Sequence, residues 1–349
     1  MAKGNGGLWG WKKRRVLPLF FICFFFPRLA LAVEEARLPE LFVREVLPFY
    51  RQEVREGVFP GRDGVEIRYA KYECPEEKGA LVLVGGRTEF LDKYAELLYD
   101  LRQSGFSLYL MDHRGQGFSG RMLANPEKGH VRDYNDYVAD LKTFVDTVVN
   151  TVPHRRRFLL THSMGGTIAL LYLLQASPQF DGLVLCAPML GIDTGALPSF
   201  LAWPLLKTLN LAPGPDSFFL GGKGYNPLKS FAANDLTGSE PRFLLQKKLL
   251  AEHPQAALGS PTNGWLLESY RAMAELARQA ERVRLPILLL QAGEDRVVTA
   301  GEQERFCRQA VHCEKMVVAG ARHELLMERD PLRTRVLAAA LTFFAGLLP

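Results

Sequence analysis

Residues 157–166 read Arg157-Phe158-Leu159-Leu160-Thr161-His162-Ser163-Met164-Gly165-Gly166. The apolar run Phe158-Leu159-Leu160 has the character of a strand. The run Thr167-Ile168-Ala169-Leu170-Leu171-Tyr172-Leu173-Leu174 that follows has the character of a helix. A serine at a sharp strand-to-helix turn, with glycine two positions later, has the layout of a nucleophile elbow. The turn forces the serine into a cramped backbone conformation, small neighbours make room, and the hydroxyl stands at the end of the sheet. Thr161 occupies the position where the first glycine of G-x-S-x-G usually stands. A slightly widened turn, with activity retained, is expected there.

Outward from the elbow, short apolar runs alternate with helical patterns. Residues 80–84, 107–111, 183–186, 286–291 and 315–318 read as strands, and 65–70 alternates as a half-buried edge strand should. Residues 94–104, 134–149 and 333–347 carry helical spacing, and 34–57 reads as a helix at the start of the fold. Strand–helix alternation implies a mostly parallel central sheet with helices on both faces, and sites in such sheets gather at the carboxyl ends of strands. The stretch 189–285 has little strand pattern and is too long for a plain crossover, so it reads as a mainly helical cap insertion. The expected division is therefore 1–32 as a leader, 33–188 with 286–349 as the core, and 189–285 as the cap.

The 349 residues suffice for one large α/β domain with an insertion. Net charge is +5, but six basic and no acidic residues precede Val33. Removing those six from the 43 lysines and arginines leaves 37, against 38 acidic residues. The folded part is thus near neutral, and nucleic-acid binding loses its main support. Lys12-Lys13-Arg14-Arg15, the apolar run 16–26 and Ala30-Leu31-Ala32 form the n, h and c regions of an export signal or short anchor. The expected location is the cell envelope: exported, periplasmic or secreted, or membrane-associated through this segment. Cys74, Cys186, Cys307 and Cys313 follow the leader. Cys186 lies in an apolar run and is expected in the core, and Cys307 and Cys313 can bridge only if a turn brings them close. No Cys/His cluster has metal-ligand spacing, and neither metal nor cofactor is expected.

A serine hydroxyl is a weak nucleophile and needs a base that is oriented in turn by a carboxylate. Asp295 follows the strand at 286–291, and His323 follows the strand at 315–318, so Ser163, Asp295 and His323 occur in the order this architecture requires. Glu294 is the alternative acid and His162 the alternative base. Attack on a carbonyl leaves an oxyanion that needs fixed donors. Met164 N–H, at the helix start, is one candidate. Arg87 N–H, in the turn Gly85-Gly86-Arg87-Thr88, is the other.

With these residues in view, the chain resembles the α/β-hydrolase serine lipases: monoacylglycerol lipases, and more closely the bacterial inner-membrane lysophospholipases. The resemblance rests on Gly86-Arg87-Thr88-Glu89, Lys93-Tyr94-Ala95-Glu96, Asp112-His113-Arg114-Gly115-Gln116-Gly117, Gly129-His130-Val131, His162-Ser163-Met164-Gly165-Gly166, Ala187-Pro188-Met189 and His323-Glu324. It implies an α/β-hydrolase fold and cofactor-free hydrolysis of a lysophospholipid ester, with Ser163, Asp295 and His323 as triad. It further implies that residues 112–117 and His130 are scaffold. Monoacylglycerol lipase or broad carboxylesterase activity is the alternative, and a non-catalytic lipid-binding relative is the reading from another class. Gly85-Gly86, followed by Arg87, stands where monoacylglycerol lipases usually carry His-Gly, and the lysophospholipase-like relatives also carry Gly-Arg. The Arg87 guanidinium is therefore a candidate for bidentate contact with a substrate phosphate, against an ion pair with Glu89. The apolar cap stretch 197–206, with Phe200 and Trp203, and Phe218-Phe219-Leu220 suit an acyl tunnel or contact with a membrane surface.

Overall fold

The computed structural model describes residues 33–176, 179–195 and 197–349. The leader expected over 1–32 lies outside them. Eight strands form one sheet: β1 (Arg55–Pro60), β2 (Glu66–Tyr72), β3 (Gly79–Val84), β4 (Phe106–Met111), β5 (Arg157–His162), β6 (Gly182–Cys186), β7 (Ile287–Ala292) and β8 (Cys313–Val318). Their spatial order is β1-β2-β4-β3-β5-β6-β7-β8. Pairings from β4 through β8 are parallel, and β2 is antiparallel to both β1 and β4. This is the α/β-hydrolase architecture.

The strands β3, β4, β6 and β7 are buried along their whole length, which explains their unbroken apolar runs. Helices cover both faces: α1 (Ala95–Leu101), α2 (Asn135–Thr147), α3 (Met164–Ala176), and, after β7, α7 (Ala300–Gln309) and α8 (Asp330–Ala345). Each face carries its own apolar cluster, one built around Leu81, Leu83, Phe158 and Phe344, the other around Val82, Leu159, Ile168 and Phe144.

Two expectations shift. The N-terminal helical run stops at Glu53, and the chain at once enters β1, where a helix to residue 57 is expected. The sequence Arg-Glu-Gly-Val-Phe-Pro lacks an apolar run because β1 is the exposed edge, where charge and proline deter further pairing. As a result β2 is not an edge strand but sits between β1 and β4.

Between β6 and β7 lie α4 (Ser199–Leu211), α5 (Glu240–Glu252) and α6 (Asn263–Gln279). The helix α6 packs on α4 and also on α3 of the core. Arg242 of α5 is anchored by Glu96 at 2.7 Å and Asp330 at 2.8 Å, and it donates to the carbonyls of Val33 and Glu328. Cys186 is a fully buried core residue, and a disulfide joins Cys307 to Cys313 with Cα atoms 5.3 Å apart. No helix among the described residues is long and apolar enough to cross a membrane.

Candidate active site

Four non-glycine residues among the described ones have positive φ, and three of them, Thr88, Ser163 and Ala187, stand at the carboxyl ends of β3, β5 and β6. Positive φ is costly for residues with a Cβ and collects where function demands it. Ser163, at φ 51°, is the single residue between β5 and α3. Its N–H donates to the Cys186 carbonyl at 3.0 Å, and its carbonyl accepts from Gly166 and Met189. The tight approach falls on Gly165: a Cβ there would stand 2.0 Å from the Val84 carbonyl oxygen. Thr161, four residues earlier, keeps its place in β5 and donates its hydroxyl to the Val184 carbonyl at 3.2 Å.

His323 Nε2 lies 2.9 Å from Ser163 Oγ, and Nδ1 lies 2.8 Å from Asp295 Oδ2. The carboxylate only accepts, so Nδ1 carries the proton and Nε2 is free to accept from the serine hydroxyl. The other oxygen of Asp295 accepts the N–H groups of Val297 and Val298. Burial pushes the Asp295 carboxyl up, but His323 and these two donors outweigh it and hold its pKa below the ordinary value. Glu294 is exposed, and Asp295 is the carboxylate on His323.

His162 faces away from the serine hydroxyl. Its Nδ1 meets Glu89 Oε2 at 3.0 Å, and its Nε2 meets the His323 carbonyl at 3.2 Å. Both partners are acceptors, so only the imidazolium satisfies both. Burial opposes that charge, yet Glu89 prevails and raises the His162 pKa. Glu89 is held well below the carboxylate range: burial pushes it up, and His162 and Lys93 more than reverse this. Lys93 Nζ bridges Glu89 at 3.1 Å and Glu324 at 2.6 Å. All four groups are buried, and two carboxylates balance two cations directly beneath the His323 main chain.

The turn after β3 is splinted from below. Glu89 accepts from the Gly86 N–H and from Tyr94 OH. Gln116 donates to the Gly86 carbonyl at 2.8 Å, and His113 to the Gly85 carbonyl at 3.0 Å. The peptide unit is planar and trans, so fixing the Gly86 carbonyl fixes the opposite direction of the Arg87 N–H. A Cβ on Gly86 would lie 3.2 Å from Ser163 Cβ, which brings this peptide close to the serine. Met164 opens α3, where first-turn N–H groups lack helical partners and the helix dipole is positive. The site thus offers a hydroxyl beside a base, a carboxylate behind the base, and two main-chain donors nearby.

The Arg87 side chain makes no ion pair with Glu89, which is occupied by Lys93 and His162. The guanidinium donates to the Gly259 carbonyl at 2.5 Å and lies 5.3 Å from the centre of the Trp265 ring. Its Nε is buried without a partner, and burial draws its pKa down to about 10. His130 binds Thr262 Oγ1 at 2.9 Å and so ties the core to α6.

Sequence reading did not single out Glu89, Lys93, Glu324 or Gln116 as a connected set. Lys93 and Glu324 are separated by 231 positions, and only the fold brings them together.

Comparison with known proteins agrees with this architecture. Residues 75–330 match the family Hydrolase_4, described as serine aminopeptidase, S33. Lysophospholipase L2 of Escherichia coli (strain K12) is 38% identical over 303 residues, covering 85% of this chain and 88% of its own. A monoacylglycerol lipase of Mycolicibacterium smegmatis is 27% identical, covering 79% of this chain and 92% of its own. Among solved structures, a thermostable carboxyl esterase from Bacillus coagulans superposes with a TM-score of 0.69 at 22% identity, covering 85% of this chain and 100% of its own.

Proposed function

This chain belongs to the Hydrolase_4 family of α/β-hydrolases, and from that premise we propose that it is a lysophospholipase acting through a serine acyl-enzyme. It is a carboxylic ester hydrolase. The observation that carries the mechanism is the unbroken hydrogen-bonded chain Ser163–His323–Asp295 on the elbow. Ser163 Oγ attacks the ester carbonyl while His323 Nε2 takes its proton, and Asp295 stabilises the imidazolium. The Arg87 and Met164 N–H groups receive the oxyanion. On collapse, His323 returns the proton to the leaving glycerol oxygen. Water, activated by the same base, then releases the fatty acid. The purified enzyme is expected to release equal amounts of fatty acid and glycerophospho-alcohol from 1-oleoyl lysophosphatidylglycerol. Absence of release would overturn the reading.

An apolar cavity of about 330 Å³ between Ile192, Leu206, Phe219, Leu266 and Tyr270 suits the acyl chain. Membrane contact through the cap is part of the same reading. Phe200 is 75% exposed and Leu211 86%, and the two stand eleven residues apart, on one face of α4; Leu228 is 87% exposed. Serine at Phe200 and Leu211 together is expected to abolish flotation with phosphatidylglycerol liposomes, and unchanged flotation would count against it.

Removal of the leader after Ala32 is supported by what Val33 does. It is buried, and its N–H donates to Asp100 at 2.9 Å. The surrounding cluster sets Glu35, Glu96, Asp100 and Asp330 against Arg242 and Arg333. Burial, with Glu96 nearby, keeps the Asp100 carboxyl above its ordinary pKa despite Arg333. A freed α-ammonium at Val33 would relieve that excess of acid. Its own pKa would rise on folding, so its contribution is full below about 8 and is lost as pH climbs through the folded value. The mature mass is expected to start at Val33, and a start at Met1 would sink the proposal.

A further inference from the structure

Beside the β3 turn lies a second cavity, of about 380 Å³, roofed by the cap. Arg87, Thr88 and Glu324 form its floor, and Lys229 and Lys247 stand at its wall. Its charge is one-sided. Arg87, Lys229 and Lys247 have no acidic partner within 4.0 Å among the described residues. The carboxylate of Glu324 is already engaged by Lys93 at 2.6 Å. Lys247 Nζ reaches across to the Lys229 carbonyl at 2.8 Å, which holds the two lysines on one side of the opening. The Arg87 Nε is buried and unpaired. Unpaired cations around a concave site favour an anion, and guanidinium and ammonium groups bind phosphate oxygens with charge-assisted hydrogen bonds.

The position of the cavity matches the chemistry. The leaving glycerol oxygen must recover its proton from His323, so the leaving group lies on the His323 side of the serine. Glu324, the next residue, lines this cavity, and so does Arg87, whose N–H sits at the oxyanion turn. The apolar cavity is lined instead by the segment after β6 and by α4 and α6. Acyl chain and polar leaving group are thus given separate compartments.

We propose that this basic cavity is the subsite for the substrate's phosphate, with Lys229 and Lys247 as its principal contacts and Arg87 as the third. The assignment rests on the lysophospholipase reading and deepens it. Selectivity for a phosphorylated glycerol over bare glycerol is located in two lysines between β6 and β7 and in the Arg87 side chain, and the triad has no part in it.

The test compares kcat/KM on 1-oleoyl lysophosphatidylglycerol and on 1-oleoylglycerol, which share an acyl chain. In the Lys229→Gln, Lys247→Gln double variant the ratio of the two is expected to fall roughly 10–100-fold, the scale of losing hydrogen bonds to a charged group. In wild type, sn-glycerol 3-phosphate is expected to inhibit hydrolysis of 1-oleoylglycerol competitively, far better than glycerol does, and to do so more weakly at high salt. A ratio unchanged in the double variant, or equal inhibition by glycerol and its phosphate, overturns the subsite while leaving the hydrolase intact. A wild-type enzyme that cleaves 1-oleoylglycerol but not the lysophospholipid overturns the substrate reading, and the subsite with it.

Discussion

Ser163→Ala is expected to lower kcat on the order of 10⁵–10⁶-fold, the scale seen when the nucleophile of a serine triad is removed. The loss should be chemical and not structural. The structural bonds at this residue are made by its main chain: the N–H to Cys186, and the carbonyl from Gly166 and Met189. Alanine keeps all three and meets the same positive φ at similar cost. Only the hydroxyl bond to His323 disappears. Tm should therefore stay within a few degrees of wild type, while labelling by a fluorophosphonate probe vanishes. If the variant kept more than about one hundredth of wild-type turnover, the role proposed from the triad geometry would have to be abandoned.

Lys93→Met should be the most damaging substitution for stability at the site. It removes the one cation that bridges Glu89 and Glu324, and two buried carboxylates are left with a single imidazolium. Removing one partner of a buried ion pair costs about 3–5 kcal/mol, because the remaining charge stays desolvated. The fall in Tm should be on the order of 10 °C, measured as the midpoint of thermal unfolding. Lys93→Arg keeps the charge and should recover much of the loss. Adding Glu324→Gln to Lys93→Met should recover part of it, since the two mutations act on one pair. A Lys93→Met protein within about 1 kcal/mol of wild type would mean that the cluster is neutralised by protonation instead.

Much of the fold was legible because it was written in short-range patterns. The buried strands β3, β4, β6 and β7 announce themselves as apolar runs; Asp295 follows one of them, Ser163 follows the mostly buried β5, and His323 follows the shorter apolar signal of the largely exposed β8. Strand β1 was not legible. An edge strand has no need of apolar residues, so β1 carries no apolar run, even though its hairpin pairing with β2 is local, with Pro60 facing Glu66. The cluster of Glu89, Lys93, His162 and Glu324 was hidden for another reason. Buried charges are read from sequence as surface residues, since lysine and glutamate are almost never buried unless paired. Thr161 shows a third kind of limit. The motif puts glycine there, yet the contact that tolerates no side chain falls on Gly165, so a bulkier residue at 161 fits and even finds a hydrogen bond.

Under the proposed function residue 87 joins two tasks in one position but performs them with different atoms. Its N–H belongs to the backbone and is aimed by Gln116 through the Gly86 carbonyl. Its guanidinium reaches the other way, to Gly259 and Trp265. Every residue except proline carries the same N–H, so the side chain is free to change over evolutionary time without dismantling the donor. Selection can then retune which esters the enzyme prefers while the chemistry stays under separate control. Drift among substrates becomes a matter of one codon and a handful of cap residues, and the splint beneath the turn is the part that must not drift.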